Sequence, residues 1–181
     1  MELNEKTLER NDLYEGRVLH FHVDKIELIN GKTSTRECVD HPGGVSVAVL
    51  TEKNEILFVR QFRYPYQQVI LETPAGKLEK GEDPFEAMKR EQREETGTTG
   101  VNYVNLGTLY PSPAYTNEII SLYACRAASF GNTDLDEDEF LEVEKIPVDE
   151  AVRMVMDGEI SDAKTQVLVL KTARLLQDGK I

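Results

Sequence analysis

Residues 83–97, DPFEAMKREQREETG, restrict the fold more than any other stretch, because both ends of a helix are written into them. Asp83 is an N-cap residue, with a side-chain oxygen placed to accept from the unpaired amides of the first turn. Pro84 suits the first helical position, and Glu86 completes a capping-box pattern. Gly97 stands where a helix ends through a left-handed residue. At about 100° per residue, Phe85, Met88 and Gln92 share one sector, and Ala87, Glu91, Glu94 and Glu95 share another. The first stripe calls for a core to pack on. The second sets three carboxylates side by side, and like charges four residues apart cost a helix about 0.2–0.5 kcal/mol per pair. Arg90 and Arg93 offset part of that cost. A solvated acidic face is the ordinary outcome of such a run. The alternative is a hard divalent cation, which takes clustered carboxylate oxygens together with substrate phosphates.

The segments around this helix read mainly as strands. Residues 14–29 form a partly alternating apolar stretch, Asn30-Gly31 is a hairpin signal, and residues 32–40 return as a second strand. Further strands are expected at 45–51, 55–64, 69–73, 103–110 and 118–127, the third of them ended by Pro74-Ala75-Gly76. Helical spacing of apolar residues returns at 148–158 and 161–179, with Ser161 and Asp162 as caps and Gly158 and Gly179 as stops. Strands followed by helices define an α+β class. Residues 1–43 read as a small N-terminal β-unit and 44–181 as the main domain.

The net charge of −12 over 181 residues disfavours non-specific binding to nucleic acid, yet admits phosphate substrates where a bound cation reverses the local sign. No apolar run reaches the roughly 18 residues that a membrane span needs. The acidic, polar start does not read as a secretory leader. Cys38 and Cys125 lie far apart, and free thiols in a cytoplasmic protein are expected. His20 and His22 sit two apart on a strand, where a surface or hydrogen-bonded pair outweighs a metal site. A second acidic run covers residues 131–144. Counting a calcium loop from Asp134 puts Glu139 where glycine is needed and Lys145 where glutamate is needed, so that reading fails and a solvated loop is expected.

From Gly76 the chain reads Gly-x5-Glu82-x7-Arg90-Glu91-x2-Glu94-Glu95-x-Gly97. This resembles the Nudix box at every fixed position. The resemblance implies an α/β/α sandwich around a mixed sheet, preceded here by the small antiparallel β-unit. The motif prefers apolar residues where Gln92 and Thr98 stand. A buried amide without partners costs about 1–3 kcal/mol. Either Gln92 finds an internal hydrogen bond, or it weakens the helix–sheet contact and Gln92→Leu raises the melting temperature.

Two more segments resemble the bacterial ADP-ribose pyrophosphatase subfamily of Nudix hydrolases. One is FVRQFRYPYQQVILETPAGKLEKGE, and the other is YPSPAYTNE, with Pro113 at a characteristic distance beyond Gly97 and Ala114 in place of a usual glycine. The resemblance implies hydrolysis of the ADP-ribose diphosphate to AMP and ribose 5-phosphate, with Mg²⁺, or Mn²⁺ as a substitute. It implies metal ligation by Glu91, Glu95, Glu94 and the carbonyl of Ala75. It places Arg63 at the diphosphate, Glu72 near the nucleoside, and Pro113 and Glu118 at the substrate. Glu137 or Glu139, in the second acidic run, would be the general base, while Glu82 and Arg90 would brace the loop and helix by pairing. The N-terminal unit would swap across a homodimer and bring Arg36 to the other subunit's substrate. Arg60 reads as a surface strand residue. The alternatives are a Nudix hydrolase of a sugar nucleotide or dinucleotide, or a non-catalytic nucleotide-binding module. Retention of Glu91, Glu94 and Glu95 argues against the last.

Overall fold

The computed structural model describes residues 3–135, 137 and 139–181. The chain folds as two units, Met1–Gly43 with Tyr110–Ile119, and Gly44–Leu109 with Ile120–Ile181.

The first unit is an antiparallel sheet in the order β1 (Lys6–Glu15), β2 (His20–Glu27) and β3 (Thr33–Asp40). The single strand expected over 14–29 is two strands, because Gly16 turns the chain and its amide bonds to the Leu19 carbonyl. β1 has no apolar period and every residue in it is exposed, so no burial pattern marks it. The hairpin at Asn30-Gly31 is present, with Gly31 at φ 77°. Residues 110–119 run beside β3. The Val39 amide donates to the Tyr115 carbonyl, and the Asn117 side chain bonds Asp40 and the His41 amide.

The second unit has a mixed sheet. Its strands are β4 (Gly44–Leu50), β5 (Glu55–Arg63), β6 (Gln68–Glu72), β7 (Ala75–Lys77), β8 (Thr98–Leu109), β9 (Ile120–Phe130) and β10 (Leu141–Pro147). The main order is β10-β5-β4-β9-β8, with β6 on β5 and β7 on β4. β4 and β9 are parallel, and the other pairs are antiparallel. The helices are α1 (Pro84–Thr96), α2 (Val148–Met156) and α3 (Ala163–Gln177).

β4 is buried throughout, as a central strand covered on both faces must be. Its alternation sorts the core. Val45, Val47 and Val49 pack with Ala87 and Met88 of α1. Ala48 and Leu50 pack with Ala151 of α2 and with Leu168 and Val169 of α3. One helix therefore covers one face and two cover the other, which gives an α/β/α sandwich within an α+β chain.

Two strands extend the sequence expectation. Ala75–Lys77 is not a strand end but pairs with β4. The second acidic run is not a loop throughout, since Leu141–Pro147 joins the edge of the sheet beside β5. Its glutamates lie on an exposed edge, where charged side chains also discourage pairing with another chain. There Arg60 bonds Glu144 at 2.6 Å.

Candidate active site

The site is built on α1. The Asp83 carboxylate accepts from the amides of Phe85 (3.0 Å) and Glu86 (3.2 Å). Gly97 closes the helix at φ 64°, and a Cβ there would lie 2.3 Å from the Gly131 carbonyl oxygen. The Gly131 amide bonds back to the Gly97 carbonyl, and the Asp134 amide bonds the Glu94 carbonyl. The acidic run is thus rooted on the C-terminal end of the helix that carries the carboxylates.

Those carboxylates are sunk into the protein rather than spread over a wet surface. Glu95 is 2% exposed, and Oε2 accepts from the Ala75 amide at 2.9 Å. Burial pushes its pKa up to about 8; the Ala75 bond pulls it back, and the charges of Glu139 and Glu91 push it further up. Burial also raises Glu91, which Arg90 partly offsets. The Glu91 carboxylate fills the space a side chain at position 76 would need, since a Cβ on Gly76 would lie 1.8 Å from Glu91 Cδ. Any residue but glycine would expel it. Arg90 holds the rest of the cluster, donating to Glu82 (3.0 and 3.2 Å), Glu91 (2.8 Å) and Glu94 (2.9 Å).

The buried Glu95 and half-buried Glu91, which repel one another beside the half-buried start of β7 at Ala75–Gly76, are a hard-oxygen donor set. Their raised proton affinity comes from burial and from the neighbouring carboxylates, and a positive charge bound there would offset both. The residues present therefore fit a divalent cation.

Beyond α1, Arg63 forks onto Glu72 (2.5 and 2.8 Å), and Lys164 at the start of α3 also bonds the Glu72 carboxylate. Burial pushes Glu72 up, yet Arg63 and Lys164 together hold it below its ordinary value. Sequence reasoning misses Lys164. A lysine in the first turn of an amphipathic helix carries no local signal of burial, and nothing near it in sequence names its partner.

Glu139 bonds Gln61 at 3.4 Å, and its charge reaches Glu91 and Glu95. Glu137 is exposed. Arg36, Pro113 and Glu118 belong to the first unit. Arg36 pairs there with Glu5, and Glu118 lies 3.6 Å from His41 Nδ1. Pro113 sits in a turn, and Ala114 does not take a positive φ, so its replacement of glycine is unstrained. His20 is exposed whereas His22 is 4% exposed and bonds Asp24 at 2.7 Å. Donor atoms of His22, Asp24 and Cys38 fall within 4.8 Å of one another, but the His22–Asp24 bond already satisfies that nitrogen.

Gln92 does not weaken the core. It is fully buried, its amide donates to Thr98 Oγ1 at 3.1 Å, and its oxygen accepts from the Tyr103 hydroxyl at 3.1 Å and the Cys125 thiol at 3.6 Å. The two departures from the motif, Gln92 and Thr98, are therefore each other's hydrogen-bond partners. Gln92→Leu strands buried donors and is expected to destabilise by about 1–3 kcal/mol in urea unfolding. Adding Thr98→Val should recover little of the loss, because Thr98 keeps Thr96 as a partner and the stranded donors are those of Tyr103 and Cys125. An unchanged or higher stability for Gln92→Leu would remove the hydrogen-bonding account.

The fold and the carboxylate face together define a class. A NUDIX domain matches residues 40–169. The chain belongs to the Nudix family. It is 41% identical to the ADP-ribose pyrophosphatase of Bacillus subtilis (strain 168), across 94% of this chain and 96% of that one. It is 42% identical to the methanol dehydrogenase activator of Bacillus methanolicus, across 91% and 90% of the two chains. It is 31% identical to the GDP-mannose pyrophosphatase of Yersinia enterocolitica serotype O:8 / biotype 1B (strain NCTC 13174 / 8081), across 92% and 93%. Among the described residues, no helix is long and apolar enough to cross a membrane.

Proposed function

We propose that the chain hydrolyses the diphosphate of ADP-ribose to AMP and ribose 5-phosphate, with Mg²⁺ as the bound ion and Mn²⁺ as a substitute, and works as a cytoplasmic homodimer. The observation that carries this reading is the carboxylate pair of half-buried Glu91 against Gly76 and buried Glu95 against Ala75, with Glu95 within electrostatic reach of Arg63. The higher identity to the B. subtilis enzyme, 41% against 31% for the Y. enterocolitica GDP-mannose pyrophosphatase over a similar share of the chain, supports ADP-ribose over a sugar nucleotide.

Glu91, Glu95 and Glu94, with the Ala75 carbonyl, would hold the cation. When bound, it neutralises the substrate diphosphate and makes water a better nucleophile at neutral pH. Arg63 is suited to the diphosphate because its planar fork donates two bonds at once, as it does here to Glu72. Glu82 and Arg90 fix the loop and helix, so that Glu91 and Glu94 keep their directions. Glu139 is favoured over Glu137 for taking the proton of the attacking water, since its charge is felt at both Glu91 and Glu95. Pro113 and Glu118 would contribute to substrate binding, and Arg36 would do so across the dimer. This last role requires Arg36 to exchange its Glu5 pair for substrate.

The test is incubation with ADP-ribose, GDP-mannose and a dinucleotide coenzyme in Mg²⁺, with products separated by chromatography. AMP and ribose 5-phosphate should form fastest. Faster cleavage of GDP-mannose would replace the substrate and keep the chemistry. In the same assay Glu139→Gln should lower kcat by about 10²–10⁴-fold and Glu137→Gln by far less. The reverse order would move the base to Glu137.

A further inference from the structure

The segment Glu72–Thr73–Pro74–Ala75 joins β6 to β7 and is held by several polar ties, most of them from distant parts of the chain. Glu72 binds Arg63 and Lys164. The Thr73 amide donates to Thr165 Oγ1 at 2.8 Å, and the Thr73 hydroxyl lies 3.2 Å from Thr165 Oγ1 and 2.9 Å from Ser46 Oγ. The Pro74 carbonyl accepts from the Val47 amide at 3.0 Å and from Ser46 Oγ at 2.8 Å. The Ala75 amide donates to Glu95. Ser46, Thr73 and Thr165 are fully buried, and Lys164 is 9% exposed. The two ties to α3 share one sequence offset, 92 residues, so residues 72–73 are zipped along residues 164–165. Asp162 secures the far side, accepting from the Thr165 amide at 2.9 Å and from Lys164 Nζ at 3.1 Å.

We propose that the first turn of α3, through Lys164 and Thr165, is a positioning device for both halves of the active site, setting the Arg63 guanidinium by way of Glu72 and the Ala75 carbonyl by way of Thr73. The inference rests on the reading of Ala75, Glu91 and Glu95 as the metal face and of Arg63 as the diphosphate ligand. Lys164 gives it a specific chemical content. Arg63 cannot turn both arms of its fork to a diphosphate while both are held by Glu72. With a second cation on the same carboxylate, Arg63 can leave and Glu72 stays neutralised inside the protein. Without Lys164, release of Arg63 strands a buried anion, and the guanidinium stays clamped. Thr165 has a different task. It is the hydroxyl that fixes the Thr73 backbone, two residues before Ala75, and so fixes where the carbonyl edge of β7 lies.

The experiment uses the full chain as Lys164→Met, Lys164→Arg, Thr165→Val, Thr165→Ser and Glu95→Gln. Two quantities are read, KM and kcat for ADP-ribose at saturating Mg²⁺, and the affinity of the substrate-free protein for Mn²⁺ by calorimetry. Outer partners of a metal site commonly change affinity or activity about 10–100-fold. Lys164→Met should raise KM by about tenfold or more with kcat much less affected, and Lys164→Arg should restore most of it. Thr165→Val should weaken Mn²⁺ binding by about tenfold, and Thr165→Ser should restore it. Should Lys164→Met fail to fold, the Thr165 pair still decides. Folded Lys164→Met and Thr165→Val proteins with KM and Mn²⁺ affinity within about twofold of the parent would overturn the proposal, as would loss of activity that neither conservative variant restores. Glu95→Gln separates the two levels. If it keeps both Mn²⁺ affinity and turnover, the metal-face reading itself fails; if it loses them while the α3 variants are silent, the positioning role alone fails.

Discussion

Replacing Glu95 by glutamine is expected to lower ADP-ribose turnover by about 10³-fold. Charge stabilisation at a metal-assisted phosphoryl centre is worth several kcal/mol, and each 1.36 kcal/mol is a factor of ten in rate. The substitution keeps shape and keeps an acceptor for the Ala75 amide, which now bonds Glu95 Oε2 at 2.9 Å. What it removes is charge at a site of 2% exposure. The drop should therefore appear mainly in kcat and survive high substrate concentration. A Glu95→Gln enzyme with kcat within about tenfold of the parent would remove this carboxylate from the reaction.

The same residue should make stability fall as pH rises, opposite to the usual carboxylate. In the metal-free protein, folded Glu95 keeps its proton up to about pH 8, against an ordinary value of 4.5. Between those limits the native state binds more protons than the unfolded chain. Unfolding free energy therefore falls as pH rises from about 4.5 to about 8 and levels off above. At about 1.4 kcal/mol per tenfold change in proton affinity, the loss amounts to roughly 4–5 kcal/mol, a large part of the 5–15 kcal/mol that typical domains possess. Burial of Glu91 acts in the same direction. Urea unfolding in a chelator at pH 5 to 8 should show the decline in the parent and a much flatter profile in Glu95→Gln. Mg²⁺ should stabilise the parent most at the alkaline end, because a carboxylate must be ionised to ligate. Identical slopes for parent and variant would place the pH sensitivity elsewhere.

What can be read from the sequence is what is encoded locally. The α1 boundaries follow from Asp83, Pro84 and Gly97, and each takes its role within a residue or two of its own position. The Asp162 cap of α3 and the stops at Gly158 and Gly179 are of the same kind. The α/β/α layering comes from the box, which carries the fold with it. What escapes is either unpatterned or long-range. β1 is exposed along its whole length, and β10 overlaps an acidic run, with burial confined to Ile146 and partial cover at Leu141 and Glu144. The place of residues 110–119 beside β3 depends on backbone bonds to Val39, which no local pattern announces. Lys164 reads as a solvated helix charge until Glu72 is brought to it from 92 residues away. Gln92 carries two opposite readings, and only the positions of Thr98, Tyr103 and Cys125 decide between them.

The bond between Gln92 and Thr98 also bears on how such a chain changes over generations. Each residue is out of keeping with the motif when taken alone, and each is made acceptable by the other. A lineage moving between this pair and an apolar pair must cross a form that has lost part of the network, in which Thr98 keeps only Thr96, or Gln92 keeps only Tyr103 and Cys125. Either of the two intermediates has a less complete network than the pair, so changes at the two sites should be coupled. A second lineage that had lost the amide should also have lost the hydroxyl, and the order of the two losses would depend on how much surplus stability the ancestor held.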